Sequence, residues 1–212
     1  MSIVSLEEVI KQVFDADKTN SLEEYRKIVR YQSRHIFLED VDENSAREII
    51  RLIIEFNKED LGKKPEERKP VKIFINSLGG SMTDAYAIMD SILMSETPVY
   101  TICVGTCYSA GGLVLMAGHK RYMYPLASFM FHEGSAGIFG DAGKVKDTMK
   151  FYETQLKQMQ TFILKKTKIT PELYEQKLSN DWYLTSDECL TLGITDEIAT
   201  NLLWVYGGLN GS

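Results

Sequence analysis

A chain of 212 residues, 44% hydrophobic and 25% charged, has the make-up of a globular domain large enough to bury a core without disulfide staples, which excludes a disordered chain, a collagen-like fibre and a coiled-coil rod. Thirty acidic against 24 basic residues give a net charge of −6, contrary to the basic excess of a nucleic-acid binder. The three cysteines, Cys103, Cys107 and Cys189, read as buried reduced thiols rather than a disulfide framework. Together with the absence of a signal-peptide pattern in MSIVSLEEVIKQVFD, they point to a reducing, cytoplasmic compartment.

Residues 1–30 read as a charged helical arm, with Ser21-Leu-Glu-Glu24 forming a capping-box pattern, and residues 31–200 as the main domain. His35–Leu38 is a short apolar run with strand character. Asn44 is placed to cap a helix whose Ala46, Ile49, Ile50, Ile53 and Ile54 recur at helical spacing. After the charged, proline-bearing loop 62–70, Val71–Ile75 is a strand. The Asn76–Ser81 turn leads into a helix capped by Ser81 or Thr83 and carrying Ala85, Ile88 and Ile92 on one face.

Residues 98–118 carry no charge and are long enough to span a bilayer. Their glycines, hydroxyls and β-branched start instead predict a buried strand at 99–104, a turn at 105–109 and a buried helix at 110–117. Brief strands follow at 122–124 and 127–131. Val145, Met149, Tyr152, Leu156, Met159 and Ile163 mark a long amphipathic helix over about 142–167. Helices opening at Thr170-Pro171-Glu172 and Ser186-Asp-Glu188, a strand at 194–198 and a flexible tail at 201–212 complete the chain. Such strand–helix alternation predicts an α/β fold of βαβ units on a parallel sheet. Ligands of such sheets bind beyond the carboxyl ends of the strands, where both glycine-rich turns fall.

The Gly79-Gly80 turn can aim amide N–H groups at an anionic oxygen, and it also suits a purely structural turn. It is neither GxGxxG nor a Walker loop, and the chain contains no GK[ST]. Ser109 stands where the second turn enters a helix, a position for a nucleophile or an ordinary cap; the Ala110 amide can join that of Gly80 around one oxygen. Of the three histidines, His35 reads as structural and His119 as a solvated helix end. His132, at the end of an apolar strand, is the best available general base or else a core histidine. Carboxylates lie all along the chain and pattern alone picks none; Asp181, before the apolar Trp182-Tyr183-Leu184, also fits a turn or cap.

The segments INSLGGS at 75–81, GTCYSAGG at 105–112, FMFHEG at 129–134 and NDWYLTSDECLTLGITDEI at 180–198 together resemble the Clp protease proteolytic subunit family, ClpP, over roughly residues 28–198. The resemblance implies a ClpP/crotonase-like fold with a projecting long helix, the "handle". It implies Ser109 as nucleophile, His132 as general base, Asp181 as the acid, and the Gly80 and Ala110 amides as oxyanion hole, with no cofactor or metal. It further implies stacked heptameric rings, unfolded polypeptide substrates and an AAA+ ATPase partner. The long helix and the glycine-rich 133–143 stretch are the candidates for contact between rings. The chain departs from the family pattern at Leu78 (usually Pro), Ala110 (usually Met), Glu133-Gly134 (usually Gln-Pro) and Lys177 (often acidic), and residues 1–27 do not follow it. A catalytically silent ring subunit and a crotonase-type acyl-CoA enzyme are the competing readings.

Overall fold

The computed structural model describes residues 21–134, 140–177 and 180–202. The arm up to residue 20, the tail from residue 203 and residues 135–139 of the glycine-rich stretch lie outside the described residues. The elements run α1 (Ser21–Ser33), β1 (His35–Leu38), α2 (Glu43–Glu59), a 3₁₀ turn (Pro65–Glu67), β2 (Val71–Ser77), α3 (Met82–Met94), β3 (Val99–Tyr108), α4 (Ala110–Ala117), β4 (Lys120–Met123), β5 (Ser128–Phe131), α5 (Ala142–Lys166), α6 (Pro171–Lys177), β6 (Trp182–Thr185), α7 (Ser186–Thr191) and β7 (Glu197–Ile198).

The strands form one sheet ordered β1-β2-β3-β4-β7, with β5 paired to β3 and β6 paired to β5. All these pairs are parallel except β5–β6. The sequence pattern does not expose that antiparallel pair. A four-residue strand in which Trp182 and Leu184 turn inward while Tyr183 and Thr185 stay exposed carries too short an alternation to read.

Helix α2 buries Ala46, Ile49, Ile53 and Phe56 on the sheet, while Ile54 is exposed. Its cap is Asp42 rather than Asn44: Asp42 accepts from the Ser45 amide while the Ser45 hydroxyl accepts from the Asp42 amide, so both orphan donors are satisfied two residues earlier. Ser81 caps α3, accepting from the Asp84 amide. Residues 98–118 form a buried strand and an α4 helix buried along its whole length, and among the described residues no helix is long and apolar enough to cross a membrane.

The predicted turn at 105–109 is instead mostly strand. β3 continues to Tyr108 and exchanges partners on the way, from β4 at residues 100–103 to β5 at residues 106–108. Asn76 Oδ1 accepts from the Thr106 amide at this crossing, and a Cβ on Gly105 would lie 2.3 Å from that oxygen, so only glycine permits the approach. Helix α5 has 25 residues, about 37 Å of helix. It buries only Met159 and Ile163 of its apolar stripe; Met149 is exposed, and so is Phe151 beside it. Residues 142–151, exposed except for the half-buried Val145, therefore project from the domain.

Far from the site, Arg34, itself at φ 57°, is buried between α1 and β1. Its guanidinium forks onto Asp60 (2.6 and 2.9 Å) and also donates to Glu59 and the Lys69 carbonyl. Asp60 also accepts from Lys63 and Thr97. Burial works to raise the Asp60 pKa, but the hydrogen bonds from Arg34, Lys63 and Thr97 outweigh it and hold the carboxyl well below its usual range.

Candidate active site

The turn after β2 is fixed by its backbone. Val41 donates to the Gly79 carbonyl (3.0 Å) and accepts from the Ser81 amide (2.8 Å), bridging the chain around Gly80. In this pattern the Gly80 N–H points away from Val41. Gly80 sits at φ 145°, and a Cβ there would fall 2.1 Å from the Val41 carbonyl oxygen, so the turn demands glycine. Ser77 Oγ accepts from the Gly79 amide (3.1 Å). Val41 thus holds the turn in place although Leu78, 73% exposed, stands in it. Nothing in the sequence around Val41 signals this role, because a single bridge has no periodicity.

At the end of β3 the chain turns sharply into α4 through Ser109, whose φ of 50° and ψ of −122° lie outside the ordinary regions for a non-glycine residue. The Ser109 amide donates to the Met130 carbonyl of β5 (2.8 Å), pinning the turn to the neighbouring strand. Ala110 opens α4, so its amide is among the helix's unpaired first donors, at the positive end of the helix dipole. The side chain of Ser109 makes no capping bond to α4. It meets His132 instead: Oγ and Nε2 are 2.7 Å apart. With the imidazole proton on Nδ1, Nε2 accepts from the hydroxyl and is positioned to take its proton.

His132 follows β5, and Asp181 precedes β6. Because those strands are antiparallel, with Phe131 opposite Trp182, the two residues emerge at the same end. His132 Nδ1 and Asp181 Oδ1 are 4.0 Å apart, within ion-pair range but longer than a hydrogen bond, and the Asp181 side chain is 56% exposed. Lys177 Nζ lies 5.8 Å from the Trp182 ring centroid, a cation–π contact. Among the described ion pairs the partner of Asp181 is His132, not Lys177.

Gly80, Ser109, Ala110 and His132 line one cleft of about 240 Å³. Met82, Leu113, Phe131 and Met159 give it apolar walls, and Glu133 and Tyr152 add polar groups. Helical spacing alone assigns Tyr152 to a face of the long helix and carries no signal for the site; the structure brings it to the cleft, where its hydroxyl also points to the Glu133 carbonyl, at 3.5 Å. The other candidates lie elsewhere. His35 packs edge-on against Phe74. His119 is exposed as expected, but its Nδ1 accepts from the Val99 amide, which ties down the start of β3. The three cysteines are fully buried, and burial pushes the Cys107 and Cys189 thiols up, away from the thiolate a nucleophile needs. Among the described residues no group of three or more His, Cys, Asp or Glu side chains is placed to hold a metal ion.

A family model described as Clp protease matches residues 17–202. The chain belongs to the Clp protease family. The match begins earlier than the motif resemblance and takes in all of α1. A parallel sheet flanked by helices, with a long helix standing out from it, is the architecture expected for a Clp protease, and the sheet's carboxyl edge carries the cleft.

Proposed function

We propose that this Clp protease family member is a serine endopeptidase subunit. The observation that carries the reading is the 2.7 Å contact between Ser109 Oγ and His132 Nε2, in a cleft that also presents the Gly80 and Ala110 backbones. In this reading Ser109 Oγ attacks the peptide carbonyl carbon while His132 Nε2 takes the hydroxyl proton. The carbonyl oxygen becomes an oxyanion between the two amides. His132 then returns the proton to the leaving amine as the C–N bond breaks, and an acyl-enzyme remains. Water, deprotonated by His132, attacks the ester carbon and releases the acid and free Ser109. Asp181 orients the imidazole, keeps its proton on Nδ1 and offsets the positive charge it gains.

Residues 31–200 form the peptidase domain in this proposal, flanked by an arm at 1–30 and a tail at 201–212. The subunit works in the cytoplasm within stacked heptameric rings, with the exposed half of α5 at the contact between rings. Its substrates are unfolded polypeptides. The chain carries no Walker-type loop, and an AAA+ ATPase partner supplies the energy for unfolding.

The test is labelling with a fluorophosphonate, which captures an activated serine. Wild type is expected to label and Ser109→Ala to remain blank; equal labelling of both refutes the assignment. The 4.0 Å separation of His132 and Asp181 favours a second reading, a ring subunit of little or no activity. Hydrolysis of an unstructured peptide by the purified assembly separates the two.

A further inference from the structure

An apolar cleft selects its ligand by the few polar groups set into its walls. In this cleft Leu113, Phe131 and Met159 are apolar, and the one carboxylate in the lining is Glu133. No lysine or arginine lines the cleft, and no ion pair to Glu133 occurs among the described residues. Two tyrosines sense the charge from opposite helices: burial first, and then the charge of Glu133, raise the pKa of Tyr152 on α5 and of Tyr174 on α6. Asp181, 4.0 Å from His132, adds a second negative charge near the cleft. An apolar side chain seated here gains burial on those walls but leaves Glu133, which is exposed, without a partner. A long aliphatic stem ending in a cation lays its methylenes on the walls and pairs its head with that carboxylate.

We propose that the cleft is selective for a peptide carrying a lysine-like cationic side chain, with Glu133 as the specificity-determining residue. The inference rests on the reading of the cleft as a peptide-binding site. It sets both an attractive element toward cations and a repulsive one toward acidic side chains.

The test reads binding apart from turnover. Full-length Ser109→Ala protein is titrated with fluorescein-labelled peptide amides that are identical except for lysine, norleucine or glutamate at the residue before the scissile bond, and anisotropy is measured. Lysine is expected to bind about fivefold more tightly than norleucine, the scale of a partly exposed ion pair, and glutamate more weakly than either. Raising salt from about 50 to 500 mM shrinks the lysine preference, because a solvent-facing pair is screened. Ser109→Ala/Glu133→Gln brings lysine and norleucine within twofold of each other, and Ser109→Ala/Glu133→Asp keeps the preference. Equal binding of lysine and norleucine, a preference that survives Glu133→Gln, or no binding of either peptide overturns the inference. Wild-type hydrolysis of the norleucine peptide is read in parallel. Its presence alongside equal binding leaves the peptidase reading standing and this inference refuted. Its absence alongside a Glu133-dependent lysine preference does the reverse.

Discussion

Replacing Gly80 by alanine tests whether the turn after β2 supplies a catalytic donor. The added Cβ would sit 2.1 Å from the Val41 carbonyl oxygen, at a φ of 145° that L-residues rarely adopt. Reaching even 3.0 Å, a separation below which real Cβ atoms essentially never approach, requires a shift of about 1 Å. A donor displaced by that much goes from about 2.9 Å to nearly 4 Å from its acceptor and no longer makes a hydrogen bond. The expected loss is that of one oxyanion donor, about 10²–10³ in kcat or roughly 3–4 kcal/mol, with KM changed little because the oxyanion exists only beyond the ground state. Steady-state hydrolysis of a fluorogenic peptide measures it. Gly143→Ala on α5 is the control: nothing lies within 4 Å of its added Cβ, and it should match wild type. A Gly80→Ala protein with kcat within threefold of wild type refutes the reasoning, since the clash with Val41 would then be relieved without moving a group that matters.

Asp181→Asn is expected to lower kcat by about 10²–10³, less than the roughly 10⁴ of a tightly bonded triad, because the 4.0 Å contact orients the imidazole less firmly; a loss under threefold on the same peptide removes Asp181 from the site. Asp60→Ala strands a buried Arg34 that keeps only Glu59 and the Lys69 carbonyl, and is expected to cost about 3 kcal/mol, or roughly 6–12 °C in melting temperature by calorimetry. Since the folded pKa of Asp60 lies below its unfolded value near 3.9, its contribution is present above about pH 4 and is lost as pH falls further. The gap between wild type and Asp60→Ala should therefore narrow on acidification below pH 4; a constant gap refutes the linkage.

The sequence makes much of this architecture legible where periodicity is long. The α2, α3 and α5 faces, the β2 and β3 runs and the buried α4 all announce themselves by spacing or by continuous apolarity. The glycine pair and Ser109 are legible as turn residues at strand ends, but their spacing alone suits a structural turn or a helix cap as well as a site. What stays hidden depends on partners distant in the chain. Gly105 and Thr106 look like a turn until β5 pairs with Thr106 and Asn76 accepts from the Thr106 amide. Arg34 and Asp60 are 26 residues apart and carry no shared pattern, yet they form a buried fork. Asp181 is one carboxylate among many until the antiparallel β5–β6 pairing sets it beside His132.

That pairing has a mechanical corollary. His132 and Asp181 ride on one two-stranded ribbon, whereas Ser109 rides on the neighbouring strand and helix. A rigid tilt of the ribbon would alter the reach from imidazole to hydroxyl and leave the spacing within the ribbon untouched. A slip of one residue along β6 would do the opposite, exchanging the inward Leu184 for Tyr183 and carrying the Asp181 carboxylate out of line while the contact between His132 and Ser109 survived. Under the proposed mechanism the two faults leave different kinetic fingerprints, one sparing the orientation of the imidazole and the other sparing its contact with the Ser109 hydroxyl.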